Sequence, residues 1–166
     1  MNLYLLRHGI AEERNPLGSK PDPARQLTPE GIRKIERIAC AMQSMELEFD
    51  VVLSSPFLRA VETARIVADK FEVASKLEQD KSLAPDGNPQ QLITSLEKRG
   101  RKASHILLVG HEPYLSRLIS LLVSGDTSLQ IELKKGGLAF LEIRNLHYGR
   151  CAILKWLLTP GQLRSI

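Results

Sequence analysis

Short apolar runs with little polar alternation recur along the chain. Three of them, "LYLL" at residues 3–6, "DVVLSSP" at 50–56 and "HILLVG" at 105–110, predict strands buried on both faces of a sheet. A weaker run near Leu77 indicates a further short strand. Closer to the C-terminus, "LQIEL", "LAFLEI" and "CAILKWLL" predict three more strands, of which the last two could pair as a hairpin.

Helical signals fill the intervals between these runs. Thr28 is a favourable N-cap and Pro29 suits the first helical position, and the buried face of this helix is predicted to carry Ile32, Ile35, Ala39, Met42 and Met45. Ser55-Pro56 repeats the signal before a helix over 57–71. A third helix runs from Asn88-Pro89 to Gly100, and a fourth from Pro113 to about Val123.

Strands that alternate with helices predict an α/β fold with a mainly parallel, open sheet, helices on both faces and an antiparallel C-terminal edge. The length of 166 residues suits one three-layer domain spanning 1–166. Residues 9–27 hold two glycines and three prolines, which predicts a long loop after the first strand.

Polar side chains collect where three of the predicted strands end. Because ligands bind outside the carboxyl ends of strands in open α/β sheets, these side chains should meet in one crevice. The set comprises Arg7, His8, Ser54, Ser55, Arg59, Gly110, His111 and Glu112. Two of the ends lead into helices with proline near their start, whose free N–H groups attract anions.

This combination of residue types favours covalent phosphoryl chemistry. Arginine offers paired donors that match phosphate oxygens, and a neutral imidazole is a competent nucleophile at pH 7. Gly9, directly after His8, permits a tight turn or a close backbone approach. The serines at 54 and 55 are most simply helix caps, with phosphate contact as an added role for Ser55.

The motifs "LLRHG", "SSPFLRAVETA" and "LLVGHEP" resemble, in order and rough spacing, the three signatures of the histidine phosphatase superfamily. The short chain, "RQLTPEG" and "SSPFLRA" look most like the SixA-type phosphohistidine phosphatases of its phosphoglycerate-mutase-like branch. The resemblance implies a phosphoglycerate mutase-like fold. It also implies that His8 is the phosphorylated nucleophile, that Arg7 and Arg59 clamp the phosphoryl oxygens, and that His111 stabilises the transition state.

The general acid is the open question. Ester-cleaving members of the branch carry a Glu between the second and third signatures, where a rough alignment puts Ser82 here. Glu112 is the better alternative donor and Glu12 the weaker one, although a carboxylate at a helix start also stabilises the helix by about 0.3–1 kcal/mol. Phosphohistidine needs no strong donor because imidazole leaves more easily than an alkoxide.

The leading hypothesis is therefore a phosphohistidine phosphatase that acts on a phosphotransfer protein and releases inorganic phosphate. The alternative is a phosphomonoesterase for a small phosphorylated metabolite. No cofactor or metal is expected, because cations already supply the charge. Lys20 and Arg25 in the long loop could contact substrate, whereas Lys134-Lys135 are predicted to lie in a solvated turn.

The overall composition argues against several other classes of protein. The net charge of +4 suits an anionic ligand, but dispersed basic residues and 5% aromatics do not indicate nucleic-acid binding. No apolar run approaches the roughly 20 residues of a membrane span, and no signal peptide is evident. A cytoplasmic protein with two reduced cysteines, Cys40 and Cys151, is expected.

Overall fold

The fold is built on one six-stranded sheet. A computed structural model describes residues 1–14, 21–100 and 102–166. In the described part the strands are β1 (Asn2–Arg7), β2 (Val51–Ser54), β3 (Leu77–Gln79), β4 (His105–Gly110), β5 (Leu138–Ile143) and β6 (Ala152–Leu158). The helices are α1 (Pro29–Ser44), α2 (Leu58–Lys70), α3 (Pro89–Arg99), α4 (Tyr114–Ser124) and α5 (Pro160–Leu163), with 3-10 turns at Asp22–Ala24, Ala74–Lys76 and Lys81–Leu83.

The strand order β3-β2-β4-β1-β5-β6 confirms the predicted sheet. Strands β1 to β4 run parallel, whereas β5 pairs antiparallel with β1 and with β6. Arg7 lies beside Gly110 in the register, and Ser54 lies beside Val109. The three strand ends that carry the candidate residues therefore meet at the carboxyl end of the parallel strands.

Side chains alternate between two cores, one on each face. Leu3 and Leu5 of β1 pack with residues of α3 and α4, and Tyr4 and Leu6 pack with residues of α1 and α2. This alternation confirms the three-layer arrangement and explains why β1 is apolar throughout. Among the described helices, none is both long and apolar enough to cross a membrane.

Two local predictions are wrong. "LQIEL" forms no strand, because its backbone serves side chains instead: Leu133 O accepts from Arg7 and Leu129 N donates to Ser120 Oγ. Ile32 is 37% exposed, whereas Ile38 is fully buried. At 3.6 residues per turn Ile32 falls on the margin of the apolar stripe that is centred on Ile35 and Met42.

Only β3 and two 3-10 turns stand between α2 and α3. Residues 71–88 therefore contain no α-helix. After β1, Ala11 and Leu27 form an antiparallel bridge, and Asp22 contacts Arg59.

Candidate active site

His8 follows the last residue of β1 and is 5% exposed. Its backbone N–H donates to Gly110 O at 3.0 Å, which ties it to the end of β4. The ring Nδ1 lies 2.7 Å from Gly9 O, and Nε2 lies 3.2 Å from Arg59 Nε. A carbonyl can only accept, so Nδ1 carries the proton and Nε2 keeps its lone pair.

The pKa of His8 is lowered from 6.5 to about 2, chiefly by burial and in addition by electrostatic interactions with His111, Arg59 and Arg7. The hydrogen bond to Gly9 O acts in the opposite direction because it favours the charged ring. The imidazole is therefore neutral at pH 7. A neutral ring with an unprotonated Nε2, whose lone pair here accepts from Arg59 Nε, is the form that can attack phosphorus.

Arg59 is the second residue of α2 and is also 5% exposed. Its guanidinium sits 5.1 Å from the centroid of the Phe57 ring, and Nε donates to His8. The two terminal nitrogens donate to the backbone oxygen of Asp22 at 2.9 Å and to its carboxylate at 3.2 Å. Burial lowers the pKa of Arg59, and Asp22 opposes that shift.

His111 stands across from His8, with ring centroids 5.0 Å apart. Its Nε2 lies 2.7 Å from Ser55 Oγ, while Nδ1 is buried and has no hydrogen-bond partner among the described residues. Burial lowers the pKa of His111 to about 3, with Arg59 as the next cause. Two neutral imidazoles thus face the same space beside Arg59.

Ser55 positions His111 and does not cap α2. The N-cap of α2 is Phe57, without a side-chain cap bond, and Ser55 Oγ accepts from Phe57 N at 3.3 Å. The predicted cap role of Ser54 is also wrong, because its hydroxyl donates to Ser55 O. Pro113 is the N-cap of α4, so neither it nor Pro56 occupies a first helical position.

Arg7 enters the site from the end of β1. One terminal nitrogen donates to Leu133 O at 2.9 Å, and Nε is buried with no partner in the described part of the chain. Burial lowers the pKa of Arg7, and Glu112 and Glu132 raise it. The structure therefore places a second guanidinium close to His8, where the sequence predicted one.

The glycines allow close packing around the nucleophile. A Cβ at Gly9 would lie 2.8 Å from Ile35, and a Cβ at Gly110 would lie 3.1 Å from Leu115. Gly9 N donates to Thr63 Oγ1 at 3.1 Å, and that hydroxyl donates to Arg59 O. Thr63, fully buried, links the end of β1 to α2; it stands in the "SSPFLRAVETA" motif, but the sequence analysis gave it no role.

Asp22 is the second residue that the sequence reasoning missed. Besides Arg59, its carboxylate pairs with Arg25 at 3.3 Å and with Arg14 at 4.0 Å. The spacing of three residues between Asp22 and Arg25 could have indicated their ion pair, but not the contact of Asp22 with Arg59. Arg25, predicted to be near the substrate, thus reaches the site through Asp22, while Lys20 lies outside the described residues.

The candidate acids all accept hydrogen bonds. Glu112 accepts from Ser116 N at 3.0 Å and so stabilises the start of α4, while Glu12 accepts from Gln26 N at 3.1 Å in the loop. Ser82 is buried and hydrogen-bonded to Asp80, whose other carboxylate oxygen accepts from Ser95. Residues 1–14, 21–100 and 102–166 contain no His, Cys, Asp and Glu cluster able to hold a metal ion.

Acidification should destabilise the fold through the two buried histidines. Their folded pKa values lie below the unfolded value of about 6.5, so the unfolded chain takes up protons first as the pH falls. The free energy of unfolding should drop by on the order of 2 kcal/mol between pH 7 and 5.5. Urea denaturation at each pH measures this change.

Two variants isolate the contribution of these rings. His8→Gln should remove about half of the pH dependence, whereas His147→Gln, at an exposed position, should leave it unchanged. An identical pH dependence in His8→Gln and in the wild type would show that His8 is not buried in its neutral form.

The site combines a buried neutral histidine, two guanidinium groups and a second histidine, which defines an arrangement suited to covalent phosphoryl transfer. The family model described as histidine phosphatase superfamily (branch 1) matches residues 3–84. The chain belongs to this superfamily, which makes it a phosphatase by class.

Two curated relatives align with most of the chain. An uncharacterized protein of Picosynechococcus sp. is 34% identical over 139 residues, which cover 83% of this chain and 82% of the relative. The phosphohistidine phosphatase SixA of Escherichia coli is 29% identical over 128 residues, covering 76% of this chain and 77% of that protein. These matches confirm the resemblance to SixA-type proteins.

Solved structures confirm the fold. The protein histidine phosphatase SixA complexed with tungstate aligns with a TM-score of 0.82 at 24% identity, covering 98% of this chain and 99% of that one. A phosphoserine phosphatase mutant from Entamoeba histolytica aligns with a TM-score of 0.74 at 19% identity, with 98% of both chains covered. A phosphoglycerate mutase from Bacillus anthracis aligns with a TM-score of 0.68 at 13% identity, covering 98% of this chain and 94% of that one.

Proposed function

We propose that this protein hydrolyses phosphohistidine on a cytoplasmic phosphotransfer protein through a phosphorylated His8 intermediate. The observation that carries the proposal is the environment of His8: Nδ1 donates to Gly9 O, and Nε2 keeps its lone pair beside Arg59. The remaining residues of the site fit the charge and the leaving group of such a reaction.

The first step forms a bond between His8 Nε2 and the phosphorus of the substrate. The phosphorus–nitrogen bond of the phosphohistidine breaks, and the substrate imidazole leaves as a neutral ring when its other nitrogen carries a proton. His8 becomes a phosphorylated imidazolium whose Nδ1–H still donates to Gly9 O. In the second step water attacks the phosphorus, the Nε2–P bond breaks, and phosphate leaves with the proton shared between it and solvent.

Charge stabilisation comes from the two guanidinium groups and from His111. Phosphoryl transfer relies mainly on positioning and on electrostatic stabilisation of the equatorial oxygens. Arg59 contacts His8 directly, and Arg7 is the last residue of β1, directly before His8. These cations supply charge that a metal ion supplies in other phosphatases, so we propose a metal-independent reaction.

The surroundings of the carboxylates favour phosphohistidine over an ester. An alkoxide leaving group needs a proton from a general acid, whereas a neutral imidazole does not. Serine occupies position 82, and Asp22 and Glu112 accept hydrogen bonds or ion pairs through their carboxylates. Both carboxylates are thus already engaged as acceptors, Asp22 by a guanidinium N–H and Glu112 by a backbone N–H.

The relatives support the same choice in part. The E. coli relative is called a phosphohistidine phosphatase, while structural neighbours include phosphoserine and α-ribazole-5'-P phosphatases. The alternative, a phosphomonoesterase for a small metabolite, rests on Glu112, which acts electrostatically on Arg7 and so lies near the site. Under that alternative Glu112 would protonate the leaving oxygen.

A substrate comparison separates the two functions. We expect kcat/KM for a phosphohistidine-bearing phosphotransfer protein to exceed that for phosphoserine and sugar phosphates by on the order of a hundredfold, since imidazole leaves without an acid whereas an alkoxide does not. Addition of EDTA should leave the rates unchanged, and release of inorganic phosphate is the readout.

Preferential ester turnover that falls in Glu112→Gln would establish the phosphomonoesterase instead. Loss of activity in EDTA that Mg²⁺ or Zn²⁺ restores would contradict the metal-independent reaction. Glu97→Gln, at an exposed position on α3, serves as the matched control for the charge change.

A further inference from the structure

A groove of about 540 Å³ opens beside Arg7. We call it the basic groove: its apolar floor consists of the half-buried Ile10 and Pro160 with the buried Ile35 and Ile38, and its cationic rim is formed by Lys34, Lys134, Lys135 and Arg164. In the register, Leu6 of β1 lies beside Leu138, and Leu138 lies beside Leu158. The segments before β5 and after β6 therefore lie at the same end of the sheet as His8.

The rim is attached to the residue that precedes the proposed nucleophile. Gly136 N donates to Arg7 O at 3.0 Å, and Arg7 N donates to Gly137 O at 3.1 Å. Gly136 has a φ of +78° and would place a Cβ 2.8 Å from Ile38, so the turn is packed directly on the floor. The two lysines before it are thus held at a fixed position beside the site.

The groove carries an excess of positive charge. Its described lining residues include five cationic side chains, counting Arg7, and one acid, Glu132. Lys34 pairs with Glu30, and Lys134 lies 3.9 Å from Glu132. Lys135 and Arg164 are exposed and have no ion pair within the described ranges.

We propose that the basic groove docks an acidic, partly apolar segment of the protein that carries the phosphohistidine, an inference that rests on the proposed function. The cationic rim attracts Asp and Glu side chains, and the exposed apolar surface of Ile10 and Pro160 accepts an aliphatic side chain between them. Because the groove adjoins Arg7, such a segment is bound while the phosphohistidine next to it is presented to His8. The "KK" turn is then a recognition element and not merely a solvated one.

Two phosphohistidine peptides test the proposal, one flanked by Asp, Glu and Leu and one with Asn and Gln in place of the acids. We expect the wild type to show a KM about five- to tenfold lower for the acidic peptide than for the neutral one, since each exposed ion pair adds only modestly to the free energy of binding. Lys135→Gln/Arg164→Gln should abolish this preference, with kcat unchanged and with free phosphohistidine hydrolysed as before.

Lys98→Gln/Arg150→Gln makes the same charge change at exposed positions and should retain the preference. These two residues flank the opposite edge of the sheet, at the end of α3 and before β6. An unchanged preference in Lys135→Gln/Arg164→Gln, or an equal loss in the control, would overturn the proposal.

Binding of the unphosphorylated peptides, followed by fluorescence anisotropy, tests docking without turnover. The acidic peptide should bind more tightly than the neutral one, and Lys135→Gln/Arg164→Gln should remove the difference. Equal binding of both peptides, or tighter binding of an oligonucleotide of matched charge, would overturn the docking proposal. Failure of both phosphohistidine peptides and of a phosphohistidine protein to react would instead overturn the proposed function, and the anisotropy result would still decide the role of the groove.

Discussion

His8→Ala should lower kcat for phosphohistidine hydrolysis by on the order of 10⁴ or more, because the substitution removes the lone pair that attacks phosphorus. Nε2 of His8 faces Arg59, and Nδ1 is bound to Gly9 O, so the ring is oriented for attack on a phosphoryl group. Steady-state assays with a phosphohistidine protein measure the loss.

Because His8 is 5% exposed, alanine at this position also removes packing contacts. His8→Gln, which keeps a polar side chain of similar reach, should be equally inactive with a circular dichroism spectrum like that of the wild type. His147→Ala, at an exposed position, should retain full activity. Rates near the wild-type value in folded His8→Gln would show that His8 is not the nucleophile.

Arg59→Ala should lower kcat/KM by about 10³-fold, in the range of arginines that stabilise phosphoryl transition states. Arg59→Lys should recover little of this loss, because lysine has no equivalent of the Nε–H that contacts His8 and no planar pair of terminal nitrogens. Initial rates over a range of substrate concentrations would separate effects on KM from effects on kcat.

Arg65→Ala provides the matched control, since Arg65 lies on the exposed side of the same helix. It should change neither parameter. A drop of less than tenfold in Arg59→Ala, with thermal unfolding unchanged, would mean that Arg59 holds the loop through Asp22 and does not stabilise the transferred group.

The sequence predicted the sheet and most helices because their signals are local. The apolar run at 3–6 can be satisfied only by burial on both faces, and Thr28-Pro29 starts α1 as expected, with Thr28 accepting from Gly31 N. "LQIEL" was misassigned because its alternating apolar residues imitate a strand, whereas Leu129 is exposed and only Leu133 of this segment is buried. The end of β1 at Arg7 then places His8 where a long loop begins.

The candidate site was only partly predictable. The resemblance brought Arg7, His8, Arg59 and His111 together, and the structure shows that they do converge. The roles of Asp22 and Thr63 depend on contacts across 37 and 54 residues of sequence, and composition or periodicity carries no record of such contacts. Ser55 was recognised as a polar residue at a strand end, but its contact with His111 required the fold.

The chemical state of His8 during the first turnover tests the central claim most directly. Wild-type protein is mixed with a phosphohistidine protein and quenched in alkali, which preserves phosphohistidine. Trypsin then cleaves after Arg7 and Arg14, which gives a peptide over residues 8–14 whose one histidine is His8. The account predicts that this peptide transiently gains one phosphoryl group. Phosphate release with the peptide unmodified throughout the first turnover, or with the phosphoryl group on another residue, would contradict it.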